Sequence, residues 1–189
     1  MRTCTSVVSA AGLLMLAVVA SGAAAQDRSG PAAFVLSPDS RVRCLDREAR
    51  RLMEAAVADS PTVARLVTVL QSADLVVGIE AHAFTKKNLK GDARVIAAAA
   101  GVRHLRIRVG IPGAQADLIA VLGHELQHAV EIADAPEVRD AVTLRAHYLR
   151  IGHEPLGRGY YETDAALEVG RRVSAEVAGS RARRRMAAR

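Results

Sequence analysis

Residues 118–138 read LIAVLGHELQHAVEIADAPEV, an apolar helical pattern interrupted by His124, Glu125 and His128. Residues four apart share a helix face, so the two imidazoles can reach one cation while Glu125 projects beside them. Zinc suits this donor pair. A catalytic zinc takes three protein ligands and one water, lowers that water's pKa to about 7, and needs a nearby carboxylate to remove the proton. Glu125 has the position and the chemistry for that task. The flanking Val121, Leu122, Gly123, Leu126, Gln127, Ala129 and Val130 are uncharged, so the helix is expected to be buried. Two histidines and a carboxylate buried with nothing to bind would be costly.

The stretch VLGHELQHAV resembles the active-site helix of the zincin metallopeptidases, whose HExxH motif lies in such an apolar frame. The resemblance implies an α+β fold in which a small sheet lies over the HExxH helix, with a third zinc ligand from further along the chain. In metzincins the motif continues as HExxHxxGxxH, and the last two marked positions here are Glu131 and Asp134. Without glycine at 131 nothing makes the helix turn to bring Asp134 round. Gluzincins instead take a glutamate from a second helix, and YYETDAALEVGRRVSAEVAG (160–179) supplies one. Projected at 3.6 residues per turn, Glu162 falls in line with Ala165, Ala166, Val169, Val173 and Val177, the stripe expected to face the core. Asp164 lines up with Glu168, Arg171 and Arg172 on the solvent side.

The expected metal set is therefore His124, His128 and Glu162, holding Zn(2+), with Glu125 as the base. Gluzincins often place an aspartate four residues after the ligand glutamate; Ala166 stands there, so support for a ligand histidine must come from elsewhere. The strand before the active-site helix commonly forms the lip of a zincin cleft and pairs with an extended peptide, a place that VRHLRIRV (102–109) occupies. Tyr160, Tyr161, His147 and His153 are the candidates for stabilising an oxyanion.

The elements that must position these groups follow from periodicity and breakers. Leu45, Ala49, Leu52, Met53 and Ala56 predict a helix to Ala58, and Ser60-Pro61 starts a second one reaching Gln71. Strands are predicted over 75–82, 93–101 and 102–110, the last two as a hairpin. In the last strand Leu105, Ile107 and Val109 face one way and His104, Arg106 and Arg108 the other. The active-site helix is expected over 114–133, another near Pro136 with Val138, Val142, Leu144, Ala146 and Leu149 on its apolar face, and a last one over 162–178. Asp134 would cap the helix after it.

At the N-terminus, Arg2, the short apolar run AAGLLMLAVVA and the small residues SGAAAQ read as a signal peptide, residues 1–25, cleaved after Ala25. An extended entry segment (26–44), a zincin-like domain (45–180) and a frayed basic tail (181–189) follow. The apolar run is too short to span a membrane, and Cys4 lies upstream of the cleavage point, so an exported, soluble, secreted or periplasmic protein is expected. Cys44 is then the only cysteine, expected as a small buried hydrophobe on an early helix, and no internal disulfide can form. The chain carries +6 formal charge, but with aromatics at 3% it lacks a base-stacking platform, which argues against nucleic acid as a partner. The expected function is zinc-dependent hydrolysis of a peptide or protein substrate. The alternatives are a zincin-like zinc-binding or interaction module without peptidase activity, and a basic protein that binds an anionic surface through its Arg-rich tail.

Overall fold

The chain passes through a short strand, β1 (Val42–Cys44), directly into α1 (Arg47–Asp59). Asp46 fixes that junction: one carboxylate oxygen accepts from the Ala49 amide as the helix N-cap, and the other accepts from the Ala81 amide, each at 2.8 Å. Ser60 ends α1 and caps α2 (Pro61–Gln71), whose first turn Pro61 presets, as the sequence predicts. Glu176, from far along the chain, accepts from Ser60 Oγ and from both the amide and the hydroxyl of Thr62. The computed structural model describes residues 39–85, 89–99, 101–154 and 160–189. The expected signal peptide, most of the entry segment and residues 155–159 lie outside the described residues.

Among the described residues the fold is α+β, with five helices and one mixed sheet of four strands. β2 (Leu75–His82), β3 (Gly91–Ala99) and β4 (Val102–Gly110) join β1 in the order β1-β2-β4-β3. β2 runs parallel to both β1 and β4, while β3 and β4 form the predicted antiparallel hairpin. Leu75 to Ile79 are all buried, as a continuous apolar strand in a sheet centre should be. In β4, Leu105, Ile107 and Val109 are buried, and Arg106 and Arg108 on the opposite face pair with Glu80 and Asp92.

Two expectations are corrected by the sheet. VRHLRIRV is an inner strand, and the edge is β3, because β4 bonds to β2 on one side and to its hairpin partner on the other. Cys44 closes β1 opposite Ile79 rather than sitting on a helix. Burial pushes its thiol up to about 11, which makes it unreactive.

The helix bearing His124, Glu125 and His128, α3 (Gln115–Ala133), packs against β3 and β4 and against α1, α2 and the last helix. Ile119, Leu122, Leu126, Ala129 and Ile132 are fully buried along it. Its C-terminal end is held by Arg103 of β4, a guanidinium only 1% exposed. Arg103 donates to the carbonyls of Ile132 (2.7 Å), Ala133 (3.0 Å), Ala135 (2.7 Å) and Val138 (3.3 Å), and pairs with Asp74 at 2.6 Å. Wrapping residues 132–138 around this cation delays the next helix. α4 (Ala141–Ile151) starts past Pro136 with a reciprocal cap between Asp140 and Thr143, so Asp134 ends α3 and does not cap its successor. His147 and Tyr148 form the buried side of α4, whereas Val142 and Leu149, expected inside, are 77% and 51% exposed.

The last helix, α5 (Asp164–Ala187), begins later and runs further than its apolar stripe predicts. Thr163 is its N-cap, accepting from the Ala166 amide at 3.1 Å, so Glu162 precedes the helix. Ala166, Val169, Val173 and Val177 face the core but Ala165 does not, and Glu168 pairs with Arg171 and Arg172 outside. The basic segment after 180 is helical to Ala187, with Arg184 bonded to the buried carboxylate of Asp59. Replacing Arg103 with Met leaves the carbonyls of Ala133 and Val138 without their donor, while those of Ile132 and Ala135 keep the backbone amides of Ala135 and Val138, and each buried unsatisfied group costs about 1–3 kcal/mol. Denaturant unfolding should show a loss of at least about 2 kcal/mol. A change below about 1 kcal/mol would mean that other contacts hold the helix end.

Candidate metal centre

His124 and His128 project from one face of α3, and their Nε2 atoms lie 3.1 Å apart. At that separation the nitrogens either share one proton or aim two lone pairs at a common cation. Two nitrogens each about 2.1 Å from a tetrahedral zinc stand roughly 3.4 Å apart, close to what is found. Glu162 completes the group: its Oε2 is 3.3 Å from His124 Nε2, and the three ligand atoms all lie within 4.8 Å of one another. The corrected start of α5 explains how it arrives. Glu162 sits on a short antiparallel bridge with His153, each amide donating to the other's carbonyl at 2.9 Å, immediately before the Thr163 cap.

The donor set fits a zinc ion on three counts. It is two imidazoles and a carboxylate, a common catalytic zinc combination. Glu162 Oε2 is buried, and its 3.3 Å approach to His124 is the only polar contact it makes among the described residues. And the tautomer of His128 is set from behind: its Nδ1 lies 2.9 Å from Glu131 Oε2, so Nδ1 carries the proton and Nε2 keeps its lone pair facing the cluster. Glu131 is itself oriented by Thr163 Oγ1, which donates to Oε1 at 2.7 Å. Burial opposes its ionisation, but the bonds with His128 and Thr163 prevail and hold its pKa below the ordinary range. Glu131 thus gives the histidine support that Ala166 cannot. In the sequence Glu131 stands where metzincins have glycine, and its spacing of three from His128 is the signal that points to this contact.

Glu125 lies under the edge strand. Gly91 makes this possible, because a Cβ there would come within 2.6 Å of Glu125 Oε1 and 2.7 Å of Val121 Cγ1. Burial pushes the Glu125 carboxyl up to about 7, against the pull of His128 and His124. A base with its pKa near neutral is well matched to moving protons near neutral pH. For His124, burial disfavours the charged form, but the neighbouring Glu162 and Glu125 prevail and raise its pKa. His124, Glu125, His128 and Glu162 all line a cleft of about 770 Å³ between β3, α3, α4 and the start of α5.

Tyr160 and Tyr161 line this cleft. The Tyr161 hydroxyl is buried without a hydrogen-bond partner, and its ring stacks on Tyr148 at 5.8 Å. Tyr148 in turn meets the His128 ring edge to face at 5.4 Å. His147 lies behind Tyr148, with Nδ1 3.3 Å from Arg150, and His153 contributes its backbone to the Glu162 bridge. Neither histidine lines the cleft. Asp134 is exposed at the end of α3 and is not among the clustered ligand atoms.

The proton balance of Glu125 can be read in the chelated protein. Its carboxyl keeps a proton to about pH 7 when folded and loses it from about 4.5 when unfolded. The folded state therefore binds more protons in that window, and stability falls as pH rises through it, by up to about 3 kcal/mol. The raised pKa of His124 acts in the same sense at its upper end, its stabilisation being lost as pH rises through the folded value. Melting temperature in chelator should be higher at pH 5 than at pH 8, and Glu125→Gln should flatten the profile below pH 7. Equal slopes for the two proteins would assign the effect to other groups. Comparison of the chain with family models, with curated proteins and with solved structures returned no match, so the chemistry of the site is read from its own atoms.

Proposed function

We propose that this protein is an exported zinc-dependent metallopeptidase of zincin-like, gluzincin-like design. The observation that carries this is the convergence of the buried Glu162 oxygen with the paired Nε2 atoms of His124 and His128, the three ligand atoms lying within 4.8 Å of one another, with Glu125 beside them in an open cleft. His124, His128 and Glu162 would hold the ion, and Glu131 would fix the orientation of His128. When bound, zinc supplies Lewis acidity, bringing the pKa of water to about 7 and drawing electrons from a carbonyl. An extended peptide adds to the outer edge of β3, whose backbone groups on that side have no strand partner among the described residues. Glu125 removes the proton of the attacking water and returns it to the leaving amine. Tyr160 and Tyr161 are the phenols on the cleft wall that can donate to the developing oxyanion. The signal-like residues 1–25 support action outside the cytoplasm. No described helix is long and apolar enough to cross a membrane.

Three measurements test the proposal. The purified chain should contain about one zinc, and Glu125→Gln should keep that zinc while hydrolysis of a denatured protein substrate disappears. Retained hydrolysis would remove Glu125 as the base, and zinc without hydrolysis in the parent chain would favour a binding module. Glu162→Ala should lose zinc and, with it, the thermal stabilisation that zinc confers, whereas Asp134→Ala should lose neither; the opposite result would reassign the third ligand. Glu131→Ala should weaken zinc binding by about 10- to 100-fold with the ligands intact. An unchanged affinity would mean that the bond from Glu131 does not tune His128.

A further inference from the structure

The charges around the cleft are unevenly committed. Asp92, on the edge strand, is bonded to both Arg94 and Arg108. Glu162 and Glu125 belong to the centre already described, and Arg171 is paired with Glu168 at 3.0 Å. Two cleft-lining cations remain with no ion pair or hydrogen bond to their side chains among the described residues: Lys90 and Arg145. Lys90 is exposed directly before Gly91, the residue that overlies Glu125 and Val121. Arg145 is exposed on α4, between Leu144, which lines the cleft, and the turn bearing Tyr148, whose ring packs on His128. One cation thus stands on the strand wall and the other on the helix wall. Among the described residues that line the cleft, no carboxylate is left over to receive a cationic substrate.

We infer that the cleft selects peptides carrying acidic side chains beside the bond to be cut, with Arg145 on the α4 wall as the principal carboxylate receptor and Lys90 as a second anionic contact. This rests on the peptidase reading. Arginine presents a planar fork that matches a carboxylate with two parallel bonds, and it is always charged. Leu144 and Tyr148 below it give an apolar floor for the methylenes of a glutamate. Cations of one sign at a cleft mouth also raise the local concentration of an anionic ligand, an effect that falls with added salt.

The test separates recognition from turnover. Zinc-loaded, full-length Glu125→Gln is titrated with labelled peptides of Ala and Leu interspersed with Glu, Gln or Lys, read by fluorescence anisotropy. The Glu series should bind about five- to tenfold more tightly than the Gln series, and the gap should close as salt is raised. Adding Arg145→Glu should reverse the order so that the Lys series binds best, with zinc content unchanged. Lys90→Ala should narrow the gap without reversing it. Equal binding of the Glu and Gln series, or an order that survives Arg145→Glu, would overturn the inference. The parent chain is then given a mixed peptide library and its products are read by mass spectrometry. Cleavage without an acidic preference sinks this inference alone, whereas acid-selective binding with no cleavage sinks the peptidase reading and leaves an anion-selective cleft.

Discussion

The end of α3 is where the fold and the candidate centre meet, and Arg103 holds it. A helix C-terminus leaves carbonyls without intrahelical donors and carries partial negative charge, so a buried guanidinium there answers a hydrogen-bond deficit and a dipole together. Because Arg103 extends from an inner strand of the sheet, the helix is indexed to the sheet along its axis. His128 and Glu131 stand within the last two turns of that helix, and a slide of one residue would turn them away from Thr163. The geometry of the candidate ligands is thus inherited from a structural interaction at the end of the helix.

Packing supplies the second constraint. Gly123 lets α5 approach closely, since a Cβ there would come within 2.7 Å of Val173 Cγ2, and Gly91 lets the edge strand close over Glu125. Two missing side chains on opposite sides of α3 bring three polar groups together inside an otherwise apolar layer. The raised pKa of Glu125 follows from the same closeness: the strand that lids the carboxylate also keeps water from it.

Much of this was legible in the sequence because it is local. Ser60-Pro61 marks a helix start by its own chemistry, the alternation in 102–110 reports a half-buried strand, and the spacing of His124 and His128 is fixed by helical pitch. What was not legible depends on distant partners. Strand order is a tertiary property: position in the chain points to β4 as the lip, yet β3 is the edge. Glu162 scans as the first residue of an apolar stripe, yet its backbone pairs with His153 and Thr163 takes the cap. The helix expected at Pro136 gives way to a turn because Arg103 claims the carbonyls of Ala135 and Val138. Val142 and Leu149 fit a helical apolar face that the fold leaves outside.

The bridge between His153 and Glu162 has a topological consequence. If a cation joins Glu162 to the histidines of α3, it closes a ring of chain about 34 residues around, from His128 through α4 and back. Such a closure acts as a cross-link, removing conformations that the segment would otherwise sample when it opens, with a cost that depends only weakly on ring size. α4 contributes little buried surface of its own, only His147 and Tyr148. The wall that carries Arg145 would therefore owe its definition less to packing than to a ring closed through the metal. In such a design the site that performs the chemistry also tethers the segment that chooses what enters.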